Sequence, residues 1–146
     1  MNRIIFLFSL VVVLLAACKT ETIFIDSSLP NGTFAAAKSG SLVEQNGTGT
    51  AGTVELGTDE DDVQFLRFGS NFTTNLGTGT VTVYLSTSEN FVADPANGNP
   101  DLRQVGPISK TGETYFKLDP VAAAKFTHVI LWCGSANIPF GNAALN

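Results

Sequence analysis

The sequence predicts an all-β fold, a single antiparallel β-sandwich or β-barrel that follows an N-terminal export signal. Two observations support this prediction. Short apolar runs, several of them alternating with polar residues, are separated by clusters of Gly, Asn, Asp and Thr that are typical of turns. Beyond residue 31, no segment keeps the periodicity of an amphipathic helix. Short strands joined by such turns are typical of a sandwich or a barrel.

The strand predictions depend on which side chains share a face of each run. Alternation of apolar and polar residues predicts half-buried strands over residues 53–56, 81–86 and 113–118. Residues 63–68 and 129–133 carry apolar side chains on both faces, which predicts central strands of a packed sheet. Several phenylalanines are expected in the core rather than around a cofactor. They include Phe65, Phe68, Phe72, Phe116 and Phe140.

Two segments between the strands have predictions of their own. One helical turn is expected at Pro120–Lys125, because Asp119 is a candidate N-cap and proline fits the first helical position. The acidic run Asp59–Asp62 lacks the alternating ligands and the glycine of a calcium loop. It is therefore interpreted as a solvated hairpin turn, and no metal site is predicted.

The N-terminus has the parts of an export signal. Arg3 precedes an apolar stretch of about a dozen residues, too short to span a bilayer as a helix. The stretch ends in Leu15-Ala16-Ala17-Cys18, which resembles a bacterial lipobox. This predicts a lipoprotein signal peptide over 1–17 and acylation of Cys18, for example by palmitate. A tether over 18–31 and a β domain over 32–146 would follow.

The resemblance to a lipobox also predicts where the protein resides. It implies the bacterial cell envelope, and Lys19 in place of an aspartate favours the outer membrane or the cell surface. Without Arg3 the chain has 7 basic and 13 acidic residues and no cluster of arginines, so nucleic acid is not expected as a partner. The lipid on Cys18 is the predicted membrane contact.

Cys133 is the candidate functional residue. An exported protein with two cysteines ordinarily forms a disulfide, but acylation of Cys18 leaves Cys133 unpaired. On an extended strand, the side chains of Cys133 and His128 point to opposite faces, so they cannot form a catalytic pair unless the strand bulges between them. His128 is the only histidine, which also argues against a multi-histidine metal site or a His-based triad.

Several short segments follow one another in an order and at a spacing that resemble the DM13 domain. This family is found in animal cell-surface proteins and in bacterial exported proteins, and the resemblance covers roughly 32–145. The most specific part is Trp132-Cys133 followed by Pro139-Phe140-Gly141. The matching segments are 66–68, 71–72, 83–86, 106–108 with Gly112 and Tyr115, 129–133 and 138–145.

The resemblance places the family's signature cysteine at Cys133. It implies a role in electron transfer, either as a bare thiol or through a prosthetic group such as haem. Gly77-Thr78-Gly79-Thr80 stands where the family often has Gly-Pro-Asp, so any role of that acidic residue is absent here. Met1 is the only methionine and there is no Cys-x-x-Cys-His segment, so nothing beyond the cysteine favours haem. The cofactor stays undetermined.

Two function classes remain open on the sequence. One is a lipid-anchored redox or electron-transfer domain that acts through Cys133 with a redox or envelope protein as partner. The other is a non-catalytic envelope module for binding or structure, in which Cys133 is a small buried hydrophobic residue. A hydrolase is disfavoured because no nucleophile and base can be paired. The chain is thus expected to be an electron-transfer module at most, rather than an enzyme in the narrow sense.

Overall fold

A computed structural model describes residues 28–94 and 96–146. Within these residues no helix is long and apolar enough to cross a membrane. The signal peptide over 1–17, Cys18 and most of the tether lie outside the described residues, so what the sequence indicates about them stays a prediction. The described strands are β1 (Ala35–Ser41), β2 (Val43–Glu44), β3 (Thr53–Thr58), β4 (Gln64–Phe68), β5 (Val81–Ser86), β6 (Leu102–Pro107), β7 (Thr114–Lys117), β8 (His128–Cys133) and β9 (Ile138–Ala144).

The strands form two antiparallel sheets, which confirms the all-β prediction. One sheet has the order β1-β3-β4-β7 and the other β2-β9-β8-β5-β6. The first two strands belong to one nearly continuous segment that passes from the first sheet to the second. Ser39 exchanges both backbone hydrogen bonds with Asn146, and Val43 pairs with Asn142 farther along. The sheets therefore meet along β9, and the fold is a sandwich that does not close into a barrel.

The core lies between the two sheets, and the predicted alternation accounts for it. Val81, Val83 and Leu85 of β5 are fully buried, and their antiparallel partners on β8 are Cys133, Leu131 and Val129. The runs 63–68 and 129–133 lie at the centres of their sheets, as predicted. Phe68, Phe72 and Phe140 lie in this core, and Phe116 packs against it from one side. Phe65 is also buried, but on the outer face of β4 against Tyr115.

Strand register defines two ends of the sandwich. At one end, which we call the thiol end, β8 stops at Cys133 opposite the first residue of β5. The loops there are 45–52, 69–80, 108–113 and 134–137. At the other end, which we call the acidic end, the turn 59–62 joins β3 to β4. The segment 118–127 lies at that end as well, since Ala122 N–H donates to Gln64 Oε1 at 2.7 Å.

The prediction of a helical turn at Pro120–Lys125 is wrong. The segment is irregular, and its one local backbone bond runs from Phe126 N–H to the Ala123 carbonyl at 3.1 Å. A run of six residues is too short to be a stable helix by itself. The Ala122 amide donates to Gln64 Oε1, a bond that a helix would also allow because amides of the first turn have no acceptor within the helix.

Candidate functional site

Cys133 is the last residue of β8, and its side chain points into the core. It is a free thiol with no exposed surface. Its strand neighbours are Val81 on β5 and Ile138 on β9. The position is nevertheless near the end of the sandwich, because the exposed residues of the loop 134–137 follow at once. The thiol therefore lies beneath a thin layer of loop residues.

Two loops form this cover. A side-chain Cβ at Gly79 would lie 3.5 Å from Cys133 Sγ and would collide with Ser135 Oγ. Gly79 has φ of 134°, a conformation that L side chains rarely adopt. Position 79 thus requires glycine for two reasons, its backbone conformation and its close approach to the thiol. The loop 69–80 closes over Cys133 only because this position has no side chain.

Ser135 is the polar neighbour of the thiol. Its hydroxyl lies 3.4 Å from Cys133 Sγ and 3.4 Å from the Thr78 carbonyl. A hydroxyl has one hydrogen to donate and can accept two hydrogen bonds. While Ser135 donates to Thr78, the neutral thiol can donate to Ser135. If the thiol loses its proton, rotation of the Ser135 hydroxyl supplies a donor to the sulfur. The same group therefore serves both protonation states.

These contacts lower the pKa of Cys133 below its ordinary value of 9.0. The largest contribution is the hydrogen bond from the Ser135 hydroxyl, and the backbone amides of Ala136 and Ser135 act in the same direction. Burial acts against them, because a charged thiolate loses solvation when it is enclosed. The balance raises the fraction of thiolate above that of an ordinary cysteine, and the thiolate is the electron-rich and reactive form.

Two loops of the thiol end, 45–52 and 69–80, are tied together by buried hydroxyls. Thr48 Oγ1 lies 3.0 Å from Thr50 Oγ1, which lies 2.8 Å from Thr74 Oγ1. Thr48 donates to the Phe140 carbonyl at 2.7 Å. Because the Thr48 hydroxyl hydrogen is used in this bond, the Thr50 hydroxyl donates to Thr48, and the Thr74 hydroxyl donates to Thr50. This chain of hydroxyls joins the loops 45–52 and 69–80 to β9 without any charge.

His128 lies at the other end of the same strand. Its antiparallel partners are Ser86 and Ala144, and its Nδ1 is 2.9 Å from Thr127 Oγ1. Its side chain is on the outer face, opposite to Cys133. The sequence-based prediction that the two residues do not meet is confirmed by this placement.

An aromatic cluster covers the outer face of β8 next to the thiol. Trp132 stacks on Phe91, with ring centroids 4.1 Å apart and an interplanar angle of 13°. Phe91 also makes an edge contact with Tyr84, whose ring centroid is 5.0 Å away. All three rings are half-buried, and Ile130 on the same face is fully buried. The apolar side chains on both faces of 129–133 agree with this arrangement, because the loop that carries Phe91 folds back over the outer face of β8.

Haem does not fit at Cys133. The sulfur has no exposed surface, and the backbone of Gly79 and the side chain of Ser135 occupy the space in front of it. Two cavities of about 230 and 130 Å³ in the described part of the chain are lined by other residues. The first is bounded by β1, β3 and the segment 122–126, and the second by Leu29, Asp59 and Lys117 among others. The geometry around Cys133 therefore gives no support to electron transfer through a haem held by this residue.

The acidic turn has a role that the sequence did not reveal. Asp59 is only 7% exposed, and its carboxylate accepts hydrogen bonds from the amides of Asn31, Asp61 and Val63 at 2.9–3.0 Å. The bond from Asn31 is the main cause of the lowered pKa of Asp59. The run was interpreted as a solvated turn, yet its first carboxylate is committed to backbone amides. Among the described residues, no group of three or more His, Cys, Asp or Glu is arranged to hold a metal.

Sequence reasoning found Cys133 but missed the residues that determine its state. Gly79 is more than fifty positions from Cys133 in the sequence, and Ser135 is only two positions away. No local pattern links either residue to the thiol. The one available signal was the sequence Gly77-Thr78-Gly79-Thr80 at the start of β5. Its second glycine marks the close approach described above. Cys18, the predicted lipidation site, lies outside the described residues.

Comparison with protein families gives one match. A family model described as electron transfer DM13 matches residues 41–145, which is more than half of the chain. No match was found among curated proteins or among solved structures. The matched range includes Cys133, Ser135 and Gly79, so the whole thiol end lies within it.

Proposed function

Since the chain belongs to the electron transfer DM13 family, we propose that it is a lipid-anchored domain of the bacterial cell envelope that exchanges electrons through Cys133. The observation that carries the proposal is the environment of the sulfur. A fully buried thiol normally has a raised pKa and is inert. Here Ser135 and the neighbouring amides lower the pKa instead, and this supports an electron-donating thiolate.

The geometry favours electron transfer without a covalent intermediate. Exchange with a disulfide requires a second sulfur to approach Cys133 Sγ, and Gly79 and Ser135 occupy that approach. Electron transfer needs proximity but no bond. In the proposed step, the Cys133 thiolate gives one electron to a one-electron acceptor carried by a partner protein. The sulfur becomes a thiyl radical and the acceptor is reduced by one electron. Starting from the neutral thiol, one proton also leaves to solvent.

A second function has its own supporting observation. The side chain of Cys133 is enclosed with no exposed surface and contacts the apolar core. This is what a cysteine used only for packing would show. The alternative is therefore a non-catalytic envelope module for binding or structure, in which the thiol contributes to stability and nothing else.

Oxidation by a small one-electron oxidant separates the two functions. In a stopped-flow experiment, the wild-type protein should reduce the oxidant in a distinct kinetic phase. The rate of this phase should increase as the pH is raised toward the pKa of the thiol. Cys133→Ala should lack this phase and keep only slower reactions of Trp132 and the tyrosines. Identical traces for the two proteins would reject the redox role and leave the packing function.

The lipid anchor is tested by metabolic labelling with a fatty acid. Wild type should incorporate the label and partition with membranes. Cys18→Ser should be unlabelled and remain uncleaved or soluble. An unlabelled wild type would overturn the assignment to the lipoproteins and, with it, the proposed position in the outer membrane or at the cell surface.

A further inference from the structure

The chain enters the domain at the acidic end, and the acidic turn holds it there. Asn31 N–H donates to Asp59 Oδ2 at 2.9 Å, and Asn31 Nδ2 donates to Asp61 Oδ2 at 2.8 Å. Glu60 N–H donates to the Asn31 carbonyl at 3.2 Å, and Glu60 Oε1 accepts from Thr33 N–H at 3.0 Å. We call this set of contacts the tether clasp. It fixes the chain to the domain before the first strand begins.

The thiol lies at the opposite end of the sandwich. β1 begins at Ala35 opposite Thr58, at the acidic end, and runs to Ser41 opposite Thr53. From there the chain continues into the loop 45–52 of the thiol end. A strand of six residues such as β3 spans about 20 Å, and the point of chain entry and Cys133 lie at opposite ends of such strands.

The two ends also differ in charge. The segments 59–62 and 118–127 of the acidic end carry five acidic residues and one lysine. The four loops of the thiol end carry one acidic residue and one lysine, Glu113 and Lys110, and otherwise consist of uncharged residues. A protein partner can approach such a surface without desolvating charges, and its association should depend little on salt.

We propose that the thiol end faces away from the membrane that holds the lipid anchor, toward a partner protein in the aqueous phase. A carrier dissolved in the anchoring bilayer would meet the acidic end first and would be separated from Cys133 by the length of the sandwich. The tether from Cys18 to Asn31 reaches at most about 45 Å. It allows the domain to tilt, but it leaves the acidic end nearer to the lipid on average. This inference rests on the proposed anchor at Cys18 and the proposed role of Cys133.

Energy transfer to lipid headgroups tests the orientation. The acylated full chain, in a Cys133→Ala background, receives one fluorophore at Val121→Cys of the acidic end or at Ser109→Cys of the thiol end. Both positions are exposed. Each protein is bound to vesicles of neutral lipid that contain a small fraction of acceptor-labelled headgroups. The label at residue 121 should transfer energy several-fold more efficiently than the label at residue 109.

Equal transfer from the two positions, or stronger transfer from residue 109, would overturn the proposed orientation. Cosedimentation of the same samples with vesicles gives the separate readout for the anchor. Acylated protein should cosediment, and an unacylated version that begins at Lys19 should not. If the acylated protein fails to cosediment, the anchor itself is rejected. If it cosediments but shows equal transfer, the anchor stands and only the orientation is rejected.

Discussion

The two ends of this sandwich hold their loops by different chemistry. At the acidic end, carboxylates of the turn 59–62 accept hydrogen bonds from backbone amides and clasp the incoming chain. At the thiol end, buried threonine hydroxyls and glycines bring the loops together, and the charges are few. The stability of the acidic end should therefore depend on pH, whereas the stability of the thiol end should depend on side-chain volume. The difference is that carboxylates hold the incoming chain at one end, whereas glycines and hydroxyls enclose the Cys133 thiol at the other.

The largest effect is expected from Gly79→Ala. The added Cβ collides with Ser135 Oγ and must adopt a backbone conformation that L residues rarely populate. A conformation of this kind costs about 1–3 kcal/mol by itself. The variant should melt well below wild type and its Cys133 should react faster with a thiol reagent. Gly77→Ala is the matched control in the same loop, because its nearest neighbour would be Asn75 Oδ1 at 3.3 Å. Equal behaviour of the two variants would contradict the shielding role of Gly79.

The next effect concerns the hydroxyl chain of the thiol end. Thr50 is 1% exposed and lies between Thr48 and Thr74. Thr50→Val keeps the shape but leaves two buried hydroxyls short of a partner, which should cost about 1–3 kcal/mol in the free energy of unfolding. Denaturant titrations at neutral and at acid pH should give the same loss, since no charge is involved. Thr111→Val, at an exposed position of this end, serves as the control. A loss that appeared only at one pH would contradict the account.

Substitution of Cys133 should have a smaller effect on stability than its burial implies. A buried serine hydroxyl without a partner would be costly, but Ser135 Oγ lies 3.4 Å from the sulfur and can pair with it. Cys133→Ser and Cys133→Ala should therefore differ by no more than about 1 kcal/mol. Thermal melts of both variants check this. If the serine variant is far less stable than the alanine variant, Ser135 does not act as the polar partner of residue 133.

The smallest effect is expected from the tether clasp. The pKa of Asp59 is lowered in the folded protein, so its contribution to stability is fully present above the unfolded pKa of about 4. The contribution is lost as the pH falls through the folded value. Lys117 supports the ionised form, while Glu60 and Asp61 lie beside it. Asp59→Asn should lower the melting temperature slightly at neutral pH and have almost no effect at pH values below the folded pKa. A constant loss at all pH values would show that the charge is irrelevant.

The sequence predicted the strands better than the site. Alternation over 81–86 and the apolar run 129–133 identified the core strands correctly, because burial on one face or on both leaves a local pattern. The helical turn at Pro120–Lys125 was predicted wrongly, since a run of six residues is too short to form a stable helix by itself. The cover of Cys133 and the clasp at Asp59 join residues far apart in the chain. No periodicity records such contacts, so only the three-dimensional structure reveals them.

The reduction potential of Cys133 tests the central claim most directly. Fast-scan voltammetry of the wild-type domain should show a one-electron wave that Cys133→Ala lacks. Below the thiol pKa a proton leaves with the electron, so the potential should fall by about 59 mV for each pH unit. Above the pKa it should become constant, and the break should lie below pH 9.0 because Ser135 and its neighbouring amides lower that pKa. Identical voltammograms for wild type and Cys133→Ala would contradict the claim that this sulfur exchanges electrons.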